Sequence, residues 1–131
     1  MSQEEEKEEK EFEDGSGAVI GALIRVHSAL GPGLLESAYE ACVCHELGIM
    51  GVRFRRQVRV PVVYRGLNID CAYQMDVVVD DRILLELKSV AELKRVHAAQ
   101  ILTYMKLARL PIGLLINFNV RRCATACAAS P

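Results

Sequence analysis

The chain has 131 residues, 51% hydrophobic and 25% charged, which suits one domain with a packed core. The formal net charge of -1 hides an uneven distribution, because residues 1–14 carry eight acids and two lysines, a net of -6, and the remaining chain carries +5. A basic body is compatible with a nucleic-acid partner, and ordinary solubilising charge explains it equally well.

Patterns typical of secreted, disulfide-linked and membrane-spanning proteins are missing from the sequence. The five cysteines are an odd number and form no CxxC pair, which argues against a disulfide framework or a cysteine metal site. The acidic N-terminus lacks the apolar run of a signal peptide, and the apolar stretch at 17–24 is too short to span a bilayer. We therefore expect a cytoplasmic protein without a membrane segment.

The strongly acidic, low-complexity segment 1–14 predicts a disordered leader. We expect one folded domain over residues 15–122. The tail over 123–131 has no recognisable apolar pattern, and we expect it to be unstructured.

Two helices are predicted in the first part of the domain. Apolar residues at helical spacing indicate a helix over 16–30, which the segment Gly31-Pro32-Gly33 ends because proline cannot continue the hydrogen-bond ladder. A second apolar stripe predicts a helix over 34–47 that ends at Gly48.

The hydrophobic period then changes to that of strands. Three strands are predicted at 54–63, 69–79 and 83–88, separated by turn-forming segments. A helix is expected over 93–107, and the apolar run at 112–118 is typical of a strand buried on both faces.

The predicted order is helix, helix, three strands, helix, strand. Three successive strands can form an antiparallel meander, and a strand that follows a crossover helix joins parallel to its neighbour. The sequence therefore predicts an α/β fold with a mixed four-stranded sheet flanked by helices.

The hairpin between the second and third strands carries the clearest chemical signal. A three-residue loop at 80–82 would pair Val79 with Ile83 and set Asp76 directly opposite Glu86. Directly opposed side chains have Cβ atoms about 4.5–5.5 Å apart. Two carboxylates that close repel each other unless a cation lies between them or one is protonated.

The same register sorts the remaining hairpin side chains by face. Lys88 is two residues beyond Glu86 and shares its face, where a lysine could orient a nucleophile and offset phosphate charge. The opposite face would be wholly apolar: Met75, Val77, Val79, Ile83, Leu85 and Leu87. Mg2+ or Mn2+ is the natural occupant of the acidic pair. A solvated surface hairpin with no site is the alternative.

Outside the hairpin, Gly33, Glu36 and Tyr39 spell the motif GxxExxY. The chain resembles the bacterial GxxExxY protein family, which is grouped with the PD-(D/E)XK nuclease superfamily. The resemblance covers residues 16–119 and departs from the family pattern only after Val120. Further matching segments are Arg56-Gln57, Asp76, Glu86-Leu87-Lys88, Val96-His97, Gln100 and Leu115-Ile116-Asn117-Phe118.

The resemblance implies the αβββαβ core of restriction-endonuclease-like proteins and assigns roles to individual residues. The implied metal ligands are Asp76, Glu86 and Glu36, with Lys88 as the catalytic lysine. Gln100 and Tyr104 resemble the QxxxY motif of RecB-like nucleases and are expected to contact substrate. Tyr39 and Arg56 are further substrate-contact candidates, with core packing and an edge-strand charge as their respective alternatives.

Three functions are compatible with these features. The first is a Mg2+- or Mn2+-dependent nuclease that acts on DNA or RNA by metal-assisted hydrolysis with two carboxylates and a lysine. The second is a non-catalytic nucleic-acid-binding or assembly subunit that retains the fold. The third is a structural or protein-binding domain. We expect no separate recognition domain, so specificity would call for a homodimer, a protein partner or a structured substrate.

Overall fold

The computed structural model describes residues 15–70, 73–121 and 124–129, with side chains as far as residue 121. The predicted acidic leader lies outside the described residues. The helices are α1 Ser16–Leu30, α2 Glu36–Ile49 and α3 Arg95–Ala108. The strands are β1 Phe54–Arg59, β2 Val62–Tyr64, β3 Leu67–Ile69, β4 Gln74–Val79, β5 Ile83–Lys88, β6 Ile112–Asn117 and β7 Ala124–Ala129.

One mixed sheet has the strand order β1-β4-β5-β6-β7, and β2 pairs with β3 in a separate hairpin. Strands β1, β4 and β5 form an antiparallel meander, and β6 joins parallel to β5 after the crossover helix α3. The predicted α/β class, mixed sheet and αβββαβ core are therefore confirmed. The four core strands are β1, β4, β5 and β6.

Strand β7 corrects the predicted tail. Residues 124–129 pair antiparallel with β6, so part of the segment expected to be unstructured is a fifth strand. Without β7, the backbone donors and acceptors along one edge of β6 would have no hydrogen-bond partners. Strand β7 supplies these partners.

Two predicted boundaries were wrong for local reasons. Helix α2 continues past Gly48 to Ile49, and the left-handed residue that follows is Gly51, with a φ of 72°. The strand predicted over 54–63 breaks at Pro61, which has no N–H to donate to a ladder. Strands β2 and β3 follow Pro61 and form a short hairpin. Its turn residues, Arg65 and Gly66, have φ values of 48° and 85°.

The sheet separates two hydrophobic clusters. One lies between the sheet and helices α1 and α2, and the other lies beneath α3. Five of the six side chains predicted for one face of the β4–β5 hairpin belong to the first cluster: Val77, Val79, Ile83, Leu85 and Leu87. Met75 packs in the second cluster instead.

The alternation of β4 breaks between Met75 and Val77. Strands β1 and β4 pair on both sides of this point, but no backbone pair joins Gln57 to Asp76. Gln57 has a φ of 49°, in the left-handed region, so the local strand geometry is interrupted. Met75 therefore turns to the face opposite to that expected from simple alternation.

The cysteines with described side chains, Cys42 and Cys44, are free thiols. Burial raises the pKa of Cys44 to about 11, so this thiol is an inert core residue at neutral pH. The side chains of the other three cysteines lie outside the described residues. Within the described ranges, no helix is long and apolar enough to cross a membrane.

Gly113 is required by the close approach of α3 to β6. A Cβ at this position would collide with Met105 and lie 3.1 Å from Ile101, and both side chains are buried. We expect Gly113→Ala to lower the free energy of unfolding by about 1–3 kcal/mol, because the packed core cannot make room. Urea unfolding followed by circular dichroism measures the change.

Gly48→Ala is the matched control for this substitution. Gly48 lies in α2 with open space around its Cβ position, so alanine should stabilise the helix by about 0.5–1 kcal/mol. Equal effects of the two substitutions would show that α3 does not press on β6 as described.

Candidate active site

Asp76 and Glu86 meet where β4 and β5 stop pairing. The loop has the predicted register, and backbone pairing continues to Val77 and Leu85. Beyond this pair the two carboxylates accept backbone hydrogen bonds in place of carbonyl groups. The Leu87 N–H donates to Asp76 Oδ2 at 2.8 Å, and the Asp76 N–H lies 3.4 Å from Glu86 Oε1. Each acid is thus attached to the backbone of the opposite strand.

Both acids are held in an environment that disfavours their charge. Glu86 is only 4% exposed, and burial, followed by the neighbouring Asp76 carboxylate, raises its pKa to about 8. Burial also raises the pKa of Asp76, against the lowering effect of the Leu87 N–H; the Glu40 carboxylate adds to the rise. A cation at this place would lower both pKa values and so favour the charged carboxylates.

Lys88 lies half-buried at the end of β5, and its charge lowers the pKa of both Asp76 and Glu86. The end of this strand is fixed by the next strand of the sheet. Asn117 pairs with Lys88 across the parallel ladder, and its side chain bonds both backbone groups of Val90 at 3.1 and 2.9 Å. Asn117 therefore orients the strand end that carries the lysine.

Helix α2 brings Glu40, which the sequence reasoning missed, toward the site. Glu40 is 7% exposed, and both of its oxygens are bonded. Arg56 donates to Oε2 through Nη2 at 2.9 Å and Nε at 3.3 Å, and the Gln57 amide donates to Oε1 at 2.5 Å. The same amide nitrogen lies 3.4 Å from Asp76 Oδ1. Gln57 thus connects the acid of α2 with that of β4.

Glu36, the acid predicted from the GxxExxY motif, lies exposed in the first turn of α2. It makes no hydrogen bond or ion pair with Asp76 or Glu86 in the part of the chain described. The Ser89 hydroxyl donates to the Leu34 carbonyl at 2.7 Å, so the start of α2 lies beside the end of β5. Glu36 therefore borders the site, one turn before Glu40 on the same helical face.

The i, i+4 spacing of two acids was the available signal for Glu40. Glu40 directly follows the motif residue Tyr39 and lies one turn after the motif residue Glu36. Glu36 and Glu40 therefore share one face of the helix. Because they share a face, which of the two is buried depends on where along α2 the helix contacts the sheet, and the spacing does not specify this.

Tyr39 has a structural role in place of the predicted substrate contact. Its side chain is fully buried, and its ring stacks on Phe118 with centroids 4.4 Å apart. The hydroxyl donates to the Gly31 carbonyl at 2.5 Å and accepts from the Leu34 N–H at 3.2 Å. Tyr39 thus holds the loop between α1 and α2 against the sheet.

Gln100 and Tyr104 are joined on the inner face of α3, where the Gln100 amide donates to the Tyr104 hydroxyl at 2.9 Å. Tyr104 is buried and Gln100 is half-buried. The Tyr104 ring also contacts that of Tyr73, with centroids 6.1 Å apart, and Tyr73 is more than half exposed just before β4.

Arg56 forms an ion pair with Glu40 at 2.9 Å, and its predicted contact with phosphate stays a prediction. The other arginines on or next to β1 are also paired with acids, at 2.8 to 3.0 Å: Arg53 with Asp80, Arg55 with Asp81, and Arg59 with Asp70. Because β1 is an edge strand, this arrangement favours the edge-strand interpretation.

A protein-family model described as the PD-(D/E)XK nuclease superfamily matches residues 13–127. The chain belongs to this superfamily. Comparisons with curated proteins and with solved structures gave no match. The resemblance inferred from the sequence is therefore confirmed for the superfamily, and membership of the GxxExxY family stays a prediction.

PD-(D/E)XK nucleases typically use divalent metal ions. Among the described residues, no group of three or more His, Cys, Asp or Glu side chains is arranged to hold a metal. Asp76 and Glu86 nevertheless offer carboxyl oxygens whose charged form a cation would favour, and Mg2+ is commonly bound by one or two carboxylates with water completing its shell. The donor chemistry of this pair fits such an ion.

The raised pKa of Glu86 predicts how the stability of the metal-free protein depends on pH. The folded protein binds this proton more tightly than the unfolded chain, whose ordinary glutamate pKa is about 4.3. The resulting stability is complete below that value and is lost as the pH rises through about 8. We expect the free energy of unfolding in EDTA to fall by a few kcal/mol between pH 5 and pH 9.

Glu86→Gln should remove most of this pH dependence, because the amide does not titrate. Urea unfolding at several pH values compares it with the wild type and with Glu92→Gln, a control at an exposed loop glutamate. The same slope in Glu86→Gln and the wild type would contradict the burial of a proton-binding carboxyl at this position.

Proposed function

We propose that the protein is a Mg2+- or Mn2+-dependent nuclease that hydrolyses phosphodiester bonds in DNA or RNA. The observation that carries this proposal is the pair of half-buried Asp76 and buried Glu86 beside Lys88, at the point where β4 and β5 stop pairing (the β4–β5 fork), in a member of a nuclease superfamily. A structural hairpin gains nothing from two acids whose pKa values are both raised.

Asp76 and Glu86 are the residues proposed to hold the ion, with Glu36 at the border of the site as an outer acid. A divalent ion bound there would polarise a phosphoryl oxygen and increase the acidity of a bound water. The β4–β5 fork contributes by holding two oxygen donors in place before substrate arrives, so little reorganisation remains for the reaction.

Lys88 is proposed to act on the substrate directly. Its ammonium group lies on the same face as Glu86 and can donate to the attacking water and to a non-bridging phosphate oxygen. In the reaction the water oxygen bonds to phosphorus and loses a proton to solvent, the bond to the leaving oxygen breaks, and that oxygen takes up a proton. The lysine offsets the negative charge that develops.

The substrate contacts proposed for α3 are Gln100 and Tyr104. Gln100 is the more accessible of the two and is the better candidate for a phosphate contact, and its bond to the Tyr104 hydroxyl fixes its orientation. Arg56 and Tyr39 are proposed as supports of the site through Glu40 and through the loop after α1.

A second candidate is a nucleic-acid-binding subunit that has kept the fold without catalysis. The observation in its favour is that Glu40 has both oxygens occupied by Arg56 and Gln57, so a third acid does not join Asp76 and Glu86 in the described part of the chain. A protein that binds nucleic acid without cutting it needs no third acid.

Cleavage assays separate the two candidates. Single-stranded, double-stranded and branched DNA and RNA would be incubated with the protein in Mg2+, Mn2+ or EDTA. We expect cleavage only with metal, and a loss of about 100-fold or more in Lys88→Ala, because the lysine contributes only in the transition state. Lys106→Ala, an exposed lysine on α3, is the matched control and should cleave like the wild type.

Cleavage that survives unchanged in both Lys88→Ala and Glu86→Gln would come from a contaminant and would remove the support for a nuclease. Salt-dependent binding of nucleic acid without cleavage, together with no heat of Mn2+ binding in calorimetry, would select the non-catalytic candidate.

A further inference from the structure

Gln57 has an unusual backbone conformation for its place in the fold. It lies within β1 yet has a φ of 49°, in the left-handed region that residues with a Cβ rarely adopt. Such conformations persist where surrounding contacts hold them, and they occur often at functional sites. The backbone pairs on either side of Gln57 are intact, so the distortion is confined to this residue and Asp76 opposite.

The side chain of Gln57 accounts for the distortion. A primary amide has two N–H donors. In this structure the nitrogen lies 2.5 Å from Glu40 Oε1 and 3.4 Å from Asp76 Oδ1, so one group serves an acid of helix α2 and an acid of strand β4. A regular strand conformation would direct the amide elsewhere and leave the buried Glu40 with an incomplete set of partners.

Glu40 is in turn anchored from its other side. The Nε and Nη2 atoms of Arg56 both donate to Glu40 Oε2, so the glutamate cannot rotate without breaking its ion pair. The order of contacts runs from Arg56 to Glu40, from Glu40 to Gln57, and from Gln57 to Asp76. The far oxygen of Asp76 accepts from the Leu87 N–H at 2.8 Å, so the carboxylate is held at both ends.

We infer that Gln57 is a positioning residue whose amide, fixed by Glu40, sets the orientation of the Asp76 carboxylate at the fork of β4 and β5. This inference rests on the proposed function and deepens it, because it gives Glu40 and Gln57 a defined task outside the metal-holding pair. It also explains why a strained residue is tolerated in the middle of a strand.

The alternative is that Gln57 contributes only to the stability of β1. Two substitutions separate these roles. Gln57→Met keeps the length of the side chain and removes its donors, and Gln57→Gly removes the side chain and relaxes the positive φ. If Gln57 contributes only to stability, the two variants should change the free energy of unfolding in opposite directions, because only Gln57→Gly relieves strain. If Gln57 positions Asp76, both variants should loosen the Asp76 carboxylate.

The first readout is hydrogen exchange of the Leu87 amide by NMR, in the metal-free protein. Because this amide donates to Asp76, loss of the Gln57 contact should accelerate its exchange by about tenfold or more relative to neighbouring β5 amides, in both variants. The second readout is calorimetric binding of Mn2+ alone, which should weaken by roughly 10–100-fold, as when the outer partners of ligands are removed.

Arg65→Gly is the matched control. It relieves the same kind of positive φ, 48°, at the turn of the β2–β3 hairpin, so both readouts should stay at the wild-type value. Wild-type Leu87 exchange and wild-type Mn2+ affinity in both Gln57 variants would overturn the inference.

The inference and the nuclease proposal fail separately. If the wild-type protein cleaves no nucleic acid, the nuclease proposal falls, and the exchange of the Leu87 amide still decides whether Gln57 positions Asp76. If the wild type does cleave, Gln57→Met should lower kcat with KM nearly unchanged, because the residue acts on a catalytic group rather than on bound substrate. A change in KM alone would contradict the positioning role.

Discussion

The hydrogen bond from the Leu87 N–H to the Asp76 carboxylate is the contact on which the candidate site depends. At this point two strands of a continuous sheet stop pairing, and a side chain takes over the acceptor role of a backbone carbonyl. This hydrogen bond satisfies the buried N–H of Leu87, and it also fixes Asp76 where the strands separate. The need of the sheet to complete its hydrogen bonds and the need of the site for a fixed acid are therefore met by one interaction.

The surrounding core makes this arrangement possible and also sets its energetic cost. Strand β5 lies in the middle of the sheet between two hydrophobic clusters, and its acid Glu86 is flanked by apolar Leu85 and Leu87. Burying a carboxyl there is unfavourable while it is charged, and this burial raises the pKa of Glu86. Stability given up at such a position is characteristic of a site retained for chemistry rather than for folding.

Sequence periodicity predicted the individual helices and strands, and the register of the β4–β5 hairpin, whose strands are joined by a short turn. The two-residue repeat was enough to set Asp76 beside Glu86, because a slip of one position would place charge in the core. Features that depend on how elements meet could not be predicted. The burial of Glu40 and not of Glu36 follows from where along α2 the helix contacts the sheet, and the turn of Met75 to the other face follows from the conformation of Gln57. Strand β7 has no apolar alternation and became recognisable only through its pairing with β6.

The pairing of arginines with acids along β1 bears on how a polyanion would first meet this protein. Each of the four arginines has an acidic partner within 3.0 Å, so this edge of the sheet forms a row of dipoles rather than a positively charged surface. The field of paired charges decays much faster with distance than that of isolated ones, and salt screens what remains. Diffusional capture of a nucleic acid, governed by long-range attraction, must therefore depend on cations elsewhere in the chain, and the β1 edge can contribute only after contact is made.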